Sequence, residues 1–294
     1  MDQRCGTIAL LGRPNVGKST LLNALVGEKV SIVTAKPQTT RHSIAGILTR
    51  ADTQFVFVDL PGVHTRSESA LNHHLNKVAA AGISDVDLVL CLVEGGRWQA
   101  DDERVLELLQ RVEVPVGLIV TKIDQVKPRE KLLPILKQLS QKHAFAFSVP
   151  VAARKGQNLA ALLSEIEGRL PVQPFLFAPD QFTDRSERFL VAEAVREKLM
   201  QLLQQELPYR VSVEVEKFEE SGKQTQIHVM IWVDRESQKA IVIGEGGATL
   251  KRVGQQARLE LQERLGRRIH LQLWVKVKAG WADDERALRA LGYE

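Results

Sequence analysis

The sequence predicts two domains in series: an α/β domain whose mostly parallel sheet carries helices on both faces, then a smaller α+β domain of element order α-β-β-α-α-β. Three observations carry this reading. At 294 residues the chain is longer than one ordinary domain and can bury two separate cores. From Thr7 to about Leu170 short apolar runs alternate with helical patterns, the grammar of repeated strand-helix units. A proline-dense stretch then intervenes, PVQPFLFAPD with Pro171, Pro174 and Pro179, and proline at that density stops helices and stiffens connections. The boundaries that follow are 1–172 for the first domain, 173–182 for a linker and 183–294 for the second.

Along the first domain, TIALL, FVFVDL, DLVLCLVE, VGLIVTK and AFAFSVPV are near-continuous apolar runs, as suits strands buried on both faces. Between them STLLNALVG and DERVLELLQRV repeat apolar residues at helical spacing. Beyond the prolines an amphipathic helix is expected from Ser186 to about Gln205, then strands RVSVEVEKF and QIHVMIWVD joined by the turn-like ESGKQ. A short apolar helix precedes the glycine cluster Gly244-Glu245-Gly246-Gly247, a longer helix runs on to about Leu265, and RIHLQLWVKVK closes as a strand.

Composition narrows the function classes. Hydrophobic residues at 44% and charged residues at 26% are those of a globular chain, and no run of about 18 apolar residues could cross a membrane. The opening MDQRCGTIALLGRP runs straight from a short apolar stretch into a motif, so no cleavable leader is expected. Cys5 and Cys91 both fall in expected strands; they read as small buried hydrophobes of a chain kept in the reducing cytoplasm. The net charge of +4 is mild, but Lys239 to Lys278 holds nine Lys or Arg against three Glu. That excess fits a nucleic-acid footprint, and equally a solvated helix face. His64, His73 and His74 have no carboxylate or cysteine at ligand spacing and are expected to face solvent on a helix.

Three motifs carry chemistry. Gly12-Arg13-Pro14-Asn15-Val16-Gly17-Lys18-Ser19 matches the phosphate-binding pattern G-x-x-x-x-G-K-S between an apparent strand and a helix. Glycines there let backbone N–H groups curl around phosphates, Lys18 reaches the β and γ phosphates, and the Ser19 hydroxyl ligates Mg2+. Asp59-Leu60-Pro61-Gly62 ends the strand FVFVDL; Asp59 is placed to hold Mg2+ through water and the Gly62 N–H to sense the γ phosphate. Thr121-Lys122-Ile123-Asp124 ends VGLIVTK, where a carboxylate at Asp124 accepts from the two N–H donors of guanine that adenine lacks. GTP and GDP are therefore the expected ligands. A phosphate-transferring kinase on the same loop fits DLPG and TKID poorly.

GRPNVGKS, QTTRH, DLPG and TKID, in this order and spacing, resemble the translation-factor-related GTPases. ERFLVAEAVREKL, ELPYRVSVEVEKF, VIGEGGATLK and LWVKVKAGWADDERALRALGY narrow the likeness to the Era family of GTPases, over essentially the whole chain. The resemblance implies a P-loop GTPase domain followed by a type II KH domain. It makes Gly244 to Gly247 the GxxG loop that clamps an RNA backbone, with Ile243 beside it and Lys251 and Arg252 one turn on. It also implies that Thr40, or alternatively Thr39, ligates Mg2+ in the GTP state, that Asn15 helps hold K+ against the phosphates, and that the backbone at Ala152-Ala153 meets the guanine oxygen. The implied partners are small-subunit ribosomal RNA, at its 3′ end, and the 30S particle, with the protein a monomer in the cytoplasm. A membrane-surface signalling GTPase, peripheral on the inner face of the cell membrane, is the alternative.

The chain departs from the family pattern in places. Val63 stands where many small GTPases carry the glutamine that orients water, so slow hydrolysis is expected. Thr121 replaces an Asn in the base motif, which predicts modestly weaker guanine affinity with specificity retained. Ala152 stands in place of a Ser, and Glu245 places a negative charge inside the GxxG loop, where Lys251, Arg252 and Arg258 compensate.

Overall fold

β1 (Arg4–Leu11) runs through the middle of a six-stranded sheet, and its residues Ile8 to Leu11 are wholly buried because helices cover both faces. It is followed by α1 (Lys18–Val26), β2 (Ile44–Arg50), β3 (Thr53–Asp59), α2 (Ala70–Ala81), β4 (Leu88–Glu94), α3 (Ala100–Leu109), β5 (Val116–Thr121), α4 (Leu132–Ser140), β6 (Phe147–Pro150) and α5 (Leu159–Glu167). This computed structural model describes residues 3–64, 70–222, 224–284 and residue 288. The sheet order is β2-β3-β1-β4-β5-β6, with β2 antiparallel and the rest parallel. Successive parallel strands lie on opposite sides of β1, which puts the topological switch point at the carboxyl end of that strand.

The antiparallel strand β2 is absent from the sequence reading. Its hairpin with β3 turns at Ala51 and Asp52, with Ala51 at φ 46°. Such turns usually advertise themselves with glycine or asparagine, and this one does not. The expected linker is also corrected. Gln54 is buried, accepts from the backbone N–H groups of Leu176 (2.9 Å) and Phe177 (3.0 Å), and donates to the Phe177 carbonyl (2.9 Å). Phe175 and Phe177 pack on Cys5, Ala45 and Val56. Further on, Ile47 donates to the Phe182 carbonyl (2.9 Å) and Thr183 Oγ1 to that of Ala45 (2.8 Å). The prolines do stop the helices, but the aromatic residues between them bind the segment to the sheet, and the first compact unit runs to Asp184.

The second unit begins at Arg185 and contains α6 (Glu187–Leu202), β7 (Val211–Ser221), β8 (Gln224–Val233), α7 (Glu236–Ile243), α8 (Ala248–Leu265) and β9 (Arg268–Val277), in the expected α-β-β-α-α-β order. Its sheet order is β7-β8-β9, antiparallel then parallel, so β9 is an edge. Alternate residues Ile227, Val229, Ile231 and Val233 of β8 face one core with Val191 and Val195 of α6 and Val253, Ala257 and Leu261 of α8. α6 starts at Ser186, whose side chain accepts from the Phe189 N–H at 3.3 Å. It is not amphipathic as expected: Glu193, Arg196 and Glu197 are buried as well as its apolar residues, and Arg196 grips Glu193 through two bonds of 2.6 and 2.7 Å. Among the described residues no helix is long and apolar enough to cross a membrane. Lys223 of the expected turn and, Leu288 apart, the closing ERALRALGY lie outside the described residues.

Candidate functional site

The loop from Gly12 to Ser19 leaves β1 at the switch point. Gly12 passes so close to β4 that a Cβ there would sit 2.8 Å from the Leu92 carbonyl oxygen. Asn15 (φ 59°) and Gly17 (φ 111°) take left-handed conformations, the turning that shapes a backbone cradle for an anion. Lys18 opens α1 with its ammonium donating to the carbonyls of Gly12 (2.9 Å) and Arg13 (3.1 Å). Burial pushes its pKa down to about 8; Asp59 works against that shift and Arg13 adds to it.

Oxygen atoms gather beside it. Asp59 Oδ2 accepts from Ser19 Oγ (2.6 Å), Ser31 Oγ (2.8 Å) and Thr40 Oγ1 (3.2 Å), and the Ser19 and Thr40 hydroxyls are 2.9 Å apart. Asp59 Oδ1 is buried and has no hydrogen-bond partner among the described residues. Burial raises the Asp59 pKa, against the pull of Lys18 and the three hydroxyls. A buried carboxylate with one oxygen unsatisfied, beside two hydroxyls, is an all-oxygen set that fits Mg2+. Thr39 lies apart from it, bonded instead to Thr34 Oγ1 and the Lys36 carbonyl, both at 2.7 Å.

The end of β5 faces the other side of the cleft. The buried Thr121 hydroxyl lies 2.7 Å from the Val16 carbonyl and 3.3 Å from that of Val93, so it joins the base-side strand to the phosphate loop. Asp124 is within 3.7 Å of Lys155. A cavity of about 310 Å³ unites these parts, enough for a small ligand. Pro14, Asn15, Val16, Gly17, Lys18, Ser19, Thr40, Gly62, Thr121, Lys122, Asp124 and Ala153 line it. Gly12, Arg13, Asp59, Leu60, Pro61, Ile123 and Ala152 stand behind that wall; Leu60, Ile123 and Ala152 are buried and support it from the core.

Sequence reasoning missed several lining residues, among them Thr34, Ala35, Gln38 and Arg154. It also missed a charge network behind the loop. Arg13 is bound by Glu94 (2.8 Å) and Asp102 (3.2 Å), and the same Glu94 oxygen accepts from Lys122 (3.1 Å). Asn15 Nδ2 donates to the Ala35 carbonyl at 2.8 Å. Val63 is buried in the apolar cluster, and Gly62 is so tight against Pro14 that a Cβ would lie 2.8 Å from that ring. His64 is not the solvent-facing helical residue expected. It lies in the loop before α2, its Nε2 is buried, burial lowers its pKa, and Asn76 binds both its backbone N–H and its carbonyl at 3.1 Å.

The second glycine loop has its own geometry. Gly244, Gly246 and Gly247 all have positive φ (75°, 56° and 80°), and a Cβ on Gly244 would meet Thr249 Oγ1 at 2.3 Å. Beside it, between α8 and β9, lies an open groove of about 620 Å³ lined by Gly247, Leu250, Lys251, Gly254, Gln255, Arg258, Leu271 and Leu273. Of the predicted residues Gly247 and Lys251 face this groove. Arg252 does not, because neighbours on a helix point about 100° apart; Arg258, seven residues after Lys251, does. Ile243 packs on the core, and Gly244, Glu245 and Gly246 form the turn at the groove's end without lining it.

Comparison with known proteins adds to this geometry. Residues 7–122 match a family described as 50S ribosome-binding GTPase, and residues 206–282 match the KH domain. GTPase Era of Azotobacter vinelandii is 50% identical over 290 residues, 99% of this chain and 97% of the relative. GTPase Era of Pseudomonas aeruginosa is 49% identical, with 99% and 95% covered. The crystal structure of Era in complex with MgGDPNP and nucleotides 1506–1542 of 16S ribosomal RNA aligns at TM-score 0.95 and 36% identity over 99% of both chains. A variant of Aquifex aeolicus Era bound to GDP.AlF4- aligns at TM-score 0.93, again at 36% identity over 99% of both.

Proposed function

The chain belongs to the Era family of GTPases, and from that premise we propose that it couples a GTP cycle to binding of the 3′ end of small-subunit ribosomal RNA during assembly of the 30S subunit. One observation carries the proposal. The Era structure that aligns at TM-score 0.95 holds both a magnesium-nucleotide complex and a 16S ribosomal RNA segment, and this chain has a cleft for each.

The reaction is hydrolysis of GTP to GDP and phosphate. Magnesium, when bound, neutralises phosphate charge; Ser19 and Thr40 would hold it through their hydroxyls and Asp59 through water. Lys18, freed from the Gly12 and Arg13 carbonyls, reaches toward the β and γ phosphates, and the Gly62 N–H senses the γ phosphate. Asp124 reads guanine, with the backbone at Ala153 closing that side. Val63 is buried and apolar and can neither hold nor polarise a water, so intrinsic hydrolysis is slow. Potassium would stimulate it by adding positive charge to the site, and Asn15 with the Ala35 carbonyl it touches would hold the ion. Equal rates in potassium and sodium would remove that part.

In the second domain the GxxG turn holds the sugar-phosphate strand while Lys251, Arg258, Leu271 and Leu273 take about four unpaired nucleotides. The protein works as a monomer in the cytoplasm beside the particle. Nothing in α6 favours the membrane reading, since its charged residues Glu193, Arg196 and Glu197 are buried along with its apolar ones. Linkage requires GTP and RNA each to tighten the other's binding. The test is fluorescence anisotropy of a 3′-end RNA, titrated with protein in a GTP analogue and in GDP, beside a scrambled RNA at fixed salt. Selective binding favoured by the analogue is expected; binding indifferent to both sequence and nucleotide would refute the proposal.

A further inference from the structure

The groove uses one side of β9, toward which Leu271 and Leu273 point. Because side chains alternate along a strand, His270, Gln272, Trp274 and Lys276 stand on the opposite side of the sheet. There Trp274 is 40% exposed, with His228 edge-on at 4.9 Å, and it pairs in register with Met230. The ammonium groups of Lys276 and Lys278 each lie 6.0 Å from the Trp232 ring. Neither lysine, nor Arg268 at the other end of β9, has an acidic partner among the described residues. Glu214, the nearby acid, is engaged by Trp232 Nε1 at 3.1 Å. Met230 and Ser212 are buried on this side, so the accessible strip runs along the β9 edge.

This combination has a chemical reading. An exposed indole face beside cations without counter-charges is what single-stranded nucleic acid uses, bases stacking and phosphates paired. A protein interface core, by contrast, is depleted in lysine. Among the described residues β9 has no strand on its outer edge, so a chain leaving the groove meets no obstacle from the described sheet. We propose that this side of the sheet is a second RNA-contact surface: the strand held in the groove continues over the β9 edge, stacks a base on Trp274 and sets phosphates against Lys276 and Lys278. The inference rests on the RNA reading above and extends it to a surface outside the GxxG groove.

The experiment uses the full-length protein and two RNAs at fixed salt. One is a 3′-end single strand of about six nucleotides, enough to fill the groove; the other matches nucleotides 1506–1542 of 16S ribosomal RNA. Trp274→Ala and the double variant Lys276→Ala/Lys278→Ala should bind the short RNA as the wild type does and lose about tenfold on the long one. Trp274→Phe, which keeps a stacking face, should retain most of the affinity, and unchanged circular dichroism melts would secure the fold of each variant. If the wild type binds neither RNA, the RNA reading itself fails. If it binds both and the variants match it on the long RNA, or lose equally on both, only the second surface is overturned. Variants that bind naked RNA normally but lose affinity for 30S particles would mark a protein contact instead, again overturning the proposal.

Discussion

Replacing Glu94 with alanine removes the carboxylate that Arg13 and Lys122 share. Its side chain and that of Arg13 are each only 7% exposed, so the substitution leaves a guanidinium in a largely dry site with one partner fewer. Removing one member of a buried pair costs about 3–5 kcal/mol. Asp102 still holds Arg13 Nε at 3.2 Å, and Lys122 at 30% exposure can turn to water, which places Glu94→Ala at the lower end, about 3 kcal/mol. The pH dependence has a definite sign. Burial alone would raise the Glu94 pKa, but Lys122 and Arg13 outweigh it and hold it below its ordinary 4.5. A carboxylate depressed in the folded state stabilises above its unfolded pKa and loses that contribution as pH falls through the folded one. The gap between wild type and Glu94→Ala should be full at pH 7 and should shrink as the pH drops below 4.5. Urea unfolding at pH 7 and at acid pH measures it. A gap within the roughly 1 kcal/mol of a surface pair at pH 7, or one that does not narrow in acid, would refute the reasoning.

Three further outcomes are expected. Thr121→Val strips the Val16 carbonyl of its buried donor; GDP affinity should fall roughly tenfold, matching about 1–3 kcal/mol, with ADP still rejected, and an unchanged GDP titration would contradict this. Asp59→Asn should leave binding of a GTP analogue nearly indifferent to magnesium, so a magnesium titration that still tightens binding tenfold or more would remove Asp59 from that role. Lys18 has a folded pKa near 8 against an ordinary 10.5, so between those values the unfolded chain binds more protons and stability rises with pH. In nucleotide-free protein the stability difference between wild type and Lys18→Met should therefore increase over that window, and a flat difference would mean that Lys18 is not desolvated.

How much of this the sequence disclosed depends on the range of the interactions. The motifs at Gly12, Asp59 and Thr121 were legible because each is a local run set at a strand's end, and parallel α/β topology brings those ends together. The α-β-β-α-α-β order was legible for the same reason, since periodicity is local. The Arg13, Glu94 and Asp102 network was not: its members are 81 and 89 residues apart, and nothing in their own neighbourhoods marks them as partners. β2 escaped because Ala51 adopts a left-handed turn without the residue type that announces one. Arg252 lies off the groove that Lys251 lines, because helical spacing puts Arg258 rather than Arg252 on the face of Lys251. The burial of the charged residues of α6 could not be read, because Glu193, Arg196 and Glu197 look like a solvated stripe until the structure shows them bonded inside.

The segment that returns along β2 has a practical consequence. β2 is the outer strand of its sheet, and Thr183 bridges antiparallel to Gly46 while Phe182 and Asp184 take up the backbone N–H groups of Ile47 and Ala45. An outer strand so occupied offers little to a second chain seeking to pair with it. A fragment cut after residue 172 would lose that guard and bare a row of hydrogen-bonding groups beside the buried Ile44 and Ile47, inviting self-association. A fragment ending at Asp184 keeps the edge closed, so the place to divide this protein lies at Asp184, well beyond the end of α5 at Glu167, rather than at the first proline.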